Sequence, residues 1–182
     1  MKHLLLALGL LLALPVQADD RLAALSEPGV VAIMRHALAP GGGDPSNFTL
    51  GDCATQRNLS DQGRDQARRI GAAMRAAGVT FDRVLTSQWC RCRETAELLG
   101  LGPVEDMPAL NSFFEDRAKG PGQTAELRAY LDGLAPNETV MLVTHQVNIT
   151  GLTGTWVDSG EVFLLDLNGD QVSLRDRVLI DP

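Results

Sequence analysis

The stretch VVAIMRHALAPGGGDP, residues 30–45, decides the fold. It is an unbroken apolar and β-branched run that stops on Arg35 and His36 and then passes into a glycine-rich segment. A run without polar alternation is expected of a strand covered on both faces, as in a parallel sheet. A second stretch, TVMLVTHQVN at residues 139–148, has the same layout and stops on His145. The third histidine of the chain is His3, so both imidazoles outside the N-terminal segment close a strand.

The elements between and beyond these strands alternate. NLSDQGRDQARRIGAAMRAAG, residues 58–78, predicts a helix capped by Ser60, with Ala67, Ile70, Met74 and Ala77 on one face and Gly78 as its stop. DRVLTS (82–87) predicts a short strand, and CRETAELLG (92–100) a short helix. GQTAELRAYLDGLA (122–135) predicts a helix with a Leu127, Tyr130, Leu131, Leu134 stripe, and VNITGLTG (147–154) another helical return. GEVFLLDL, the turn NGD and QVSLRDRVLI read as a terminal hairpin. The expectation is an α/β domain with a mostly parallel central sheet, helices on both faces and a C-terminal hairpin. Ligands of such sheets bind beyond the carboxyl ends of the strands. Arg35, His36 and His145 belong to that rim, as does Arg91 shortly after the third strand.

MKHLLLALGLLLALPVQA has a basic start, an apolar stretch from Leu4 to Leu14 and small residues at Val16 and Ala18. That is the layout of a secretory signal peptide cleaved after Ala18. The apolar stretch is shorter than the ~20 residues of a membrane-spanning helix. The mature chain, residues 19–182, is then expected to be one domain, periplasmic or secreted, with no stable membrane insertion. Without Lys2 the net charge of −7 becomes −8 (15 basic against 23 acidic residues). Bulk electrostatics of that sign argue against nucleic acid as a partner, so an anionic ligand needs a local arginine cluster. In an oxidising compartment the three cysteines allow one bridge. Cys90 and Cys92 are too close to pair easily, which leaves Cys53 with Cys90 or Cys92.

RHA (35–37), LSDQGRDQA (59–67), SQWCRCRETAE (87–97) and VTHQ (143–146) together resemble the histidine phosphatase superfamily, the phosphoglycerate-mutase-like fold. The resemblance implies a phosphomonoester hydrolase with a phosphohistidine intermediate on His36. Arg35, Arg91 and His145 take the positions of the other central residues. Arg91 is preferred over Arg93 because the family arginine stands four residues after the serine, here Ser87. The chemistry fits. A neutral imidazole attacks phosphorus without adding negative charge, provided its other nitrogen meets an acceptor, expected from the 39–45 loop. Arginine forks grip phosphate oxygens in pairs, and a protonated His145 would donate to a further oxygen. Arg57 is a candidate third phosphate arginine.

The chain departs from the family in two places. Where many mutase-like members carry a glutamate two residues after P-x-L, PALNSFFEDR has Ser112, leaving Glu115, ahead of Asp116, as the candidate proton donor. RHALAPGGGDPSNF replaces the mutase loop, which points to hydrolysis rather than mutation. The loop resembles small exported bacterial members, a group that includes phosphatases of lipopolysaccharide core sugars. The expected substrate is a small-molecule or glycan phosphoester, with no metal or organic cofactor. Two rival classes stand beside this one: a two-His-one-carboxylate metal site using Asp44 or Asp52, and a non-catalytic phosphate-binding or signalling module. A cysteine-based phosphatase needs C-x₅-R, which the chain lacks.

Overall fold

The computed structural model describes residues 17–169 and 171–180, with side chains from residue 21 onward. The expected leader lies outside the described residues except for Gln17 and Ala18, which open the first helix. The elements are α1 (Gln17–Ala24), β1 (Val31–Arg35), α2 (Asp61–Ala76), β2 (Arg83–Thr86), α3 (Cys90–Leu99), β3 (Val104–Asp106), α4 (Gly120–Asp132), β4 (Val140–Thr144), α5 (Gln146–Thr153), β5 (Val162–Asn168) and β6 (Gln171–Val178). They form one six-stranded sheet in the order β3-β2-β4-β1-β5-β6. The first four strands are parallel, and β5 and β6 add an antiparallel hairpin beside β1. The mostly parallel α/β architecture and the terminal hairpin are as the sequence predicts.

Alternation along each strand sorts the side chains into two cores. Ala32, Met34, Val84, Met141 and Val143 pack with Leu22, Ile70, Met74, Ala96 and Leu99 from α1, α2 and α3. Val31, Ile33, Leu85, Val140 and Leu142 pack with Leu127, Leu131, Ile149 and Leu152 from α4 and α5 on the other face. Burial on both faces explains why β1 and β4 read as unbroken apolar runs. Among the described residues no helix is long and apolar enough to cross a membrane.

Helix ends follow local chemistry. Ser60 caps α2 by accepting from Gly63 N (3.1 Å), and Gly78 leaves the helix at φ 76°. Helix α4 starts two residues earlier than expected because Pro121 fits its first turn, where no N–H is needed. Helix α3 likewise starts at Cys90, whose N–H donates to Gln56 Oε1 (2.9 Å). Strand β3 and helix α1 carry too little apolar pattern to be read from sequence.

Two glycines set how close α2 lies to the rest. A Cβ at Gly63 would stand 2.0 Å from the Leu38 carbonyl oxygen, and one at Gly71 1.9 Å from that of Leu99. Only glycine lets α2 pack this tightly against the segment after His36 and against the end of α3.

Candidate active site

Strands β2, β4 and β1 are neighbours, and their carboxyl ends lie flush. Arg35 is paired with Thr144, Thr86 with Val143, and the ladder continues through His36 N to Thr144 O (2.9 Å) and Ser87 N to Val143 O (3.0 Å). The three chain segments therefore release their next residues at one level. His36 and His145 meet edge-to-face with ring centroids 5.5 Å apart, both buried. Arg91, in the first turn of α3, reaches both.

The ring of His36 is oriented from one side by the Ala37 carbonyl, 2.8 Å from Nδ1. The acceptor is thus the next residue in the chain rather than the 39–45 loop, because the turn after β1 brings that carbonyl back over its own neighbour. This fixes Nδ1–H and leaves a lone pair on Nε2, which accepts from Arg91 Nε (3.2 Å). Burial and then the Arg91 charge push the His36 pKa well below the usual imidazole range, against the opposing pull of the Ala37 carbonyl. The imidazole is neutral at pH 7.

His145 is also held neutral, by burial first and then by Arg91 and His36. Protonation of His145 is therefore tied to the arrival of a dianionic phosphate, since the groups that shift it here, Arg91 and His36 after burial, all favour the neutral ring. Its Nδ1 faces Arg91 Nη2 (3.3 Å) and its Nε2 faces Ser87 Oγ (2.9 Å), which in turn reaches Asn111 Oδ1 (3.2 Å).

Arg91 does not present a free fork. Its Nη1 and Nη2 donate to the two oxygens of Asp44 at 2.8 and 3.2 Å, with both side chains almost fully buried. Asp44 also accepts from Trp89 Nε1 (3.0 Å) and Arg57 N (3.0 Å). Burial alone would raise the Asp44 carboxyl, but these donors and the Arg91 charge hold it below the ordinary value as a carboxylate. Trp89 stacks on Phe48 (4.9 Å) and meets His145 edge-on (5.5 Å). Arg93 turns the other way, to Glu97 and Asp106.

Arg35 donates from Nη1 to Val157 O (3.2 Å), and its Nε is buried with no acceptor among the described residues. Arg57 donates from Nε to Gly43 O (2.8 Å) and from Nη1 to Ala39 O, so it braces the glycine-rich loop. Burial lowers the pKa of both arginines, and Arg91 adds repulsion to each. Arg35, His36, Arg57, Arg91 and His145 line one cleft of about 140 Å³, with Asp44 as the carboxylate among its described lining residues. Its lining gathers three guanidinium groups in a chain of net charge −7, with Asp44 on the lining and Asp158 acting on Arg35 as opposing carboxylates.

Glu115 and Asp116 are exposed and do not line this cleft. They line the adjoining groove with Lys119, which pairs with Asp116 (3.3 Å). Glu115 comes nearer: a Cβ on Gly43, a cleft residue, would stand 2.6 Å from its Oε1. Cys53 is bonded to Cys90, tying the loop that carries Arg57 to the residue before Arg91. Cys92 is the free thiol, buried, and burial pushes its pKa up to about 12.

The metal-site alternative does not fit these side chains. Both histidines turn ring nitrogens to Arg91, Asp44 is forked onto the same guanidinium, and Asp52 caps a short turn by accepting from Ala54 N. Among the described residues no three His, Cys, Asp or Glu side chains gather as a cation site.

Several residues that build the site carry no signal in the linear sequence. Gln66 is buried on α2, accepts from Leu38 N (3.0 Å) and donates to Ser159 O (2.9 Å), joining the turns after β1 and before β5. Thr95 accepts from Ala37 N (3.1 Å) and donates to Arg91 O (2.7 Å), joining the turn after His36 to α3.

The model of the histidine phosphatase superfamily (branch 1) matches residues 32–130. Among curated proteins, the mitochondrial serine/threonine-protein phosphatase Pgam5 of Drosophila grimshawi is 36% identical over 50 residues, 28% of this chain and 17% of that protein. Its Drosophila virilis counterpart is 33% identical over 70 residues, 38% and 21% of the two chains. The match therefore spans less than a quarter of those relatives. The solved protein histidine phosphatase SixA with tungstate superposes with a TM-score of 0.56 at 20% identity, over 81% of this chain and 95% of that one. The α-ribazole phosphatase of Shigella flexneri gives 0.57 at 20%, over 80% and 94%. At such identities the likeness is one of fold.

Proposed function

The chain belongs to the histidine phosphatase superfamily, branch 1, and on that premise we propose that it is a phosphomonoester hydrolase with His36 as nucleophile. The observation that carries this reading is the cleft itself, in which a neutral, oriented imidazole stands among three guanidinium groups. Nε2 of His36 attacks phosphorus. A P–N bond forms, the P–O bond to the alcohol breaks, and the alkoxide leaves with a proton from an acid. Water then cleaves the P–N bond, releasing inorganic phosphate and restoring the neutral imidazole.

A phosphate oxygen must first replace the Arg91 Nε–H bond to His36. Arg35, with its unpartnered Nε, Arg57 and Arg91 compensate the charge of the transferring group, each charge-assisted bond contributing about 1.5–3 kcal/mol. His145 faces Arg91 in the free protein and, protonated once the phosphate dianion is bound, donates to a further phosphate oxygen. Glu115 is the proton donor of this scheme. Its support is position: it abuts Gly43, whereas Asp44 is committed to Arg91 and Asp116 to Lys119.

Export to the periplasm or beyond is part of the proposal, supported by the leader-like first eighteen residues and by the Cys53–Cys90 bond, which suits an oxidising compartment. A phosphorylated sugar of that compartment or the envelope is the proposed substrate class, and no metal or organic cofactor is required.

Turnover of a phosphoester panel by the mature protein tests the scheme. Activity should survive EDTA and fall by at least about a thousandfold in His36→Ala, in line with loss of a nucleophile. Glu115→Gln should cost about 10²-fold on alkyl esters and far less on p-nitrophenyl phosphate, whose leaving group needs no proton. Tight phosphate binding with no turnover of any ester would favour the non-catalytic binding module.

A further inference from the structure

The cleft has a second half that phosphate chemistry does not use. Phe114, in the segment after the Pro108–Leu110 turn, and Trp156, after α5, both line it. They are 44% and 61% exposed, and among the described residues they are the exposed large aromatics. The other exposed large apolar residues, Leu50 and Leu179, lie elsewhere. Exposed aromatic area gathered at a polar cleft marks a binding surface more often than chance exposure does.

Both rings are also held in place. The Arg117 guanidinium lies 4.8 Å over the Phe114 ring, and its Nε donates to the Phe114 carbonyl (3.1 Å). The Trp156 indole N–H donates to Asp158 Oδ1 (3.4 Å). Rings that are exposed yet braced lose little conformational freedom when a ligand stacks on them. Ser112 and Gln146 line the same cleft and add a hydroxyl and an amide beside the aromatic surface.

We propose that Phe114 and Trp156 form the leaving-group subsite, and that the substrate is a monoester of a cyclic alcohol with one apolar face, in the first instance a sugar ring. The inference rests on the phosphatase reading and specifies which half of the substrate those residues recognise. A sugar offers CH groups on one face for the aromatic rings and hydroxyls at its edge for Ser112 and Gln146. An acyclic ester such as glycerol 3-phosphate keeps hydroxyls but has no such ring face.

The test compares glucose 6-phosphate, p-nitrophenyl phosphate and glycerol 3-phosphate as substrates of the wild type, Trp156→Ala, Phe114→Ala and Trp156→Phe. The alanine variants should raise KM for glucose 6-phosphate about five- to tenfold, the scale of one lost stacking contact. KM for glycerol 3-phosphate and inhibition by inorganic phosphate should stay within about twofold, and Trp156→Phe should restore most of the loss. A larger effect on p-nitrophenyl phosphate than on the sugar would replace the sugar by an aryl ring as occupant and overturn the sugar assignment. Equal losses on all three esters, or none on the ring substrates, would overturn the subsite itself. So would a phosphoseryl peptide turned over faster than any ring ester and untouched by the variants. If no ester turns over, the hydrolase reading falls, and calorimetry decides the subsite. Glucose 6-phosphate binding tighter than inorganic phosphate, and only in proteins with both rings, supports it. Equal affinities refute it.

Discussion

Asp44 and Arg91 form a buried two-bond fork, 2.8 and 3.2 Å, inside the cleft that also holds His36. One carboxylate thereby aims the guanidinium so that its Nε meets His36 and its Nη2 meets His145. Removing one partner of such a pair leaves an uncompensated buried charge, which costs about 3–5 kcal/mol. Asp44→Ala should therefore lower stability by roughly that amount in urea melts, and kcat should fall because Arg91 loses its aim. An Asp44→Ala protein with unchanged stability and turnover would show that the fork does not position Arg91.

The two buried histidines make the fold acid-sensitive. Their folded pKa values lie below the ordinary 6.5, so between the two values the unfolded chain binds more protons than the folded one. Stability is thus fully present above about pH 6.5 and falls as pH drops below it, by up to about 1.4 kcal/mol per pH unit for each imidazole. Asp44, also depressed, adds a loss of the same sign below the ordinary carboxylate range. Melting temperatures from pH 8 to 4.5 should show this decline, and His36→Gln or His145→Gln should flatten it.

Gly63 and Gly42 offer a paired test of packing at the turn after His36. A methyl at Gly63 meets the Leu38 carbonyl at 2.0 Å, whereas at Gly42 nothing lies within 4 Å. Gly63→Ala should cost about 1–3 kcal/mol and reduce kcat, since Leu38 is two residues from His36. Gly42→Ala should leave both within error.

The bridge and the free thiol should separate by chemistry. Unreduced native protein is expected to show one disulfide and a Cys92 that alkylates only after unfolding, because it is buried and its thiolate strongly disfavoured. Cys53→Ser should cost roughly 2–4 kcal/mol through the lost cross-link. Peptide mapping of the alkylated protein together with denaturant melts checks both.

The strands ending at Arg35, His36 and His145 were legible because burial on both faces writes an unbroken apolar run into the sequence. So were Ser60 as a cap and the terminal hairpin, whose signals are local. Strand β3 was not, being three residues long and largely exposed at the sheet edge. Whether Cys53 takes Cys90 or Cys92 is decided by the helix. Residues two apart on α3 point about 200° apart, so Cys90 meets the loop and Cys92 enters the core. Asp44, Gln66, Trp89 and Thr95 each have at least one partner between 28 and 93 positions away, and nothing in their neighbours announces it.

The most direct measurement is rapid acid-free quenching of the protein during turnover of a ³²P-labelled monoester, followed by peptide mapping. Label that is stable to base, lost in acid, carried by the His36 peptide and absent from His36→Ala is the predicted result. Turnover that persists in His36→Ala, or label on a serine or carboxylate, would contradict the account.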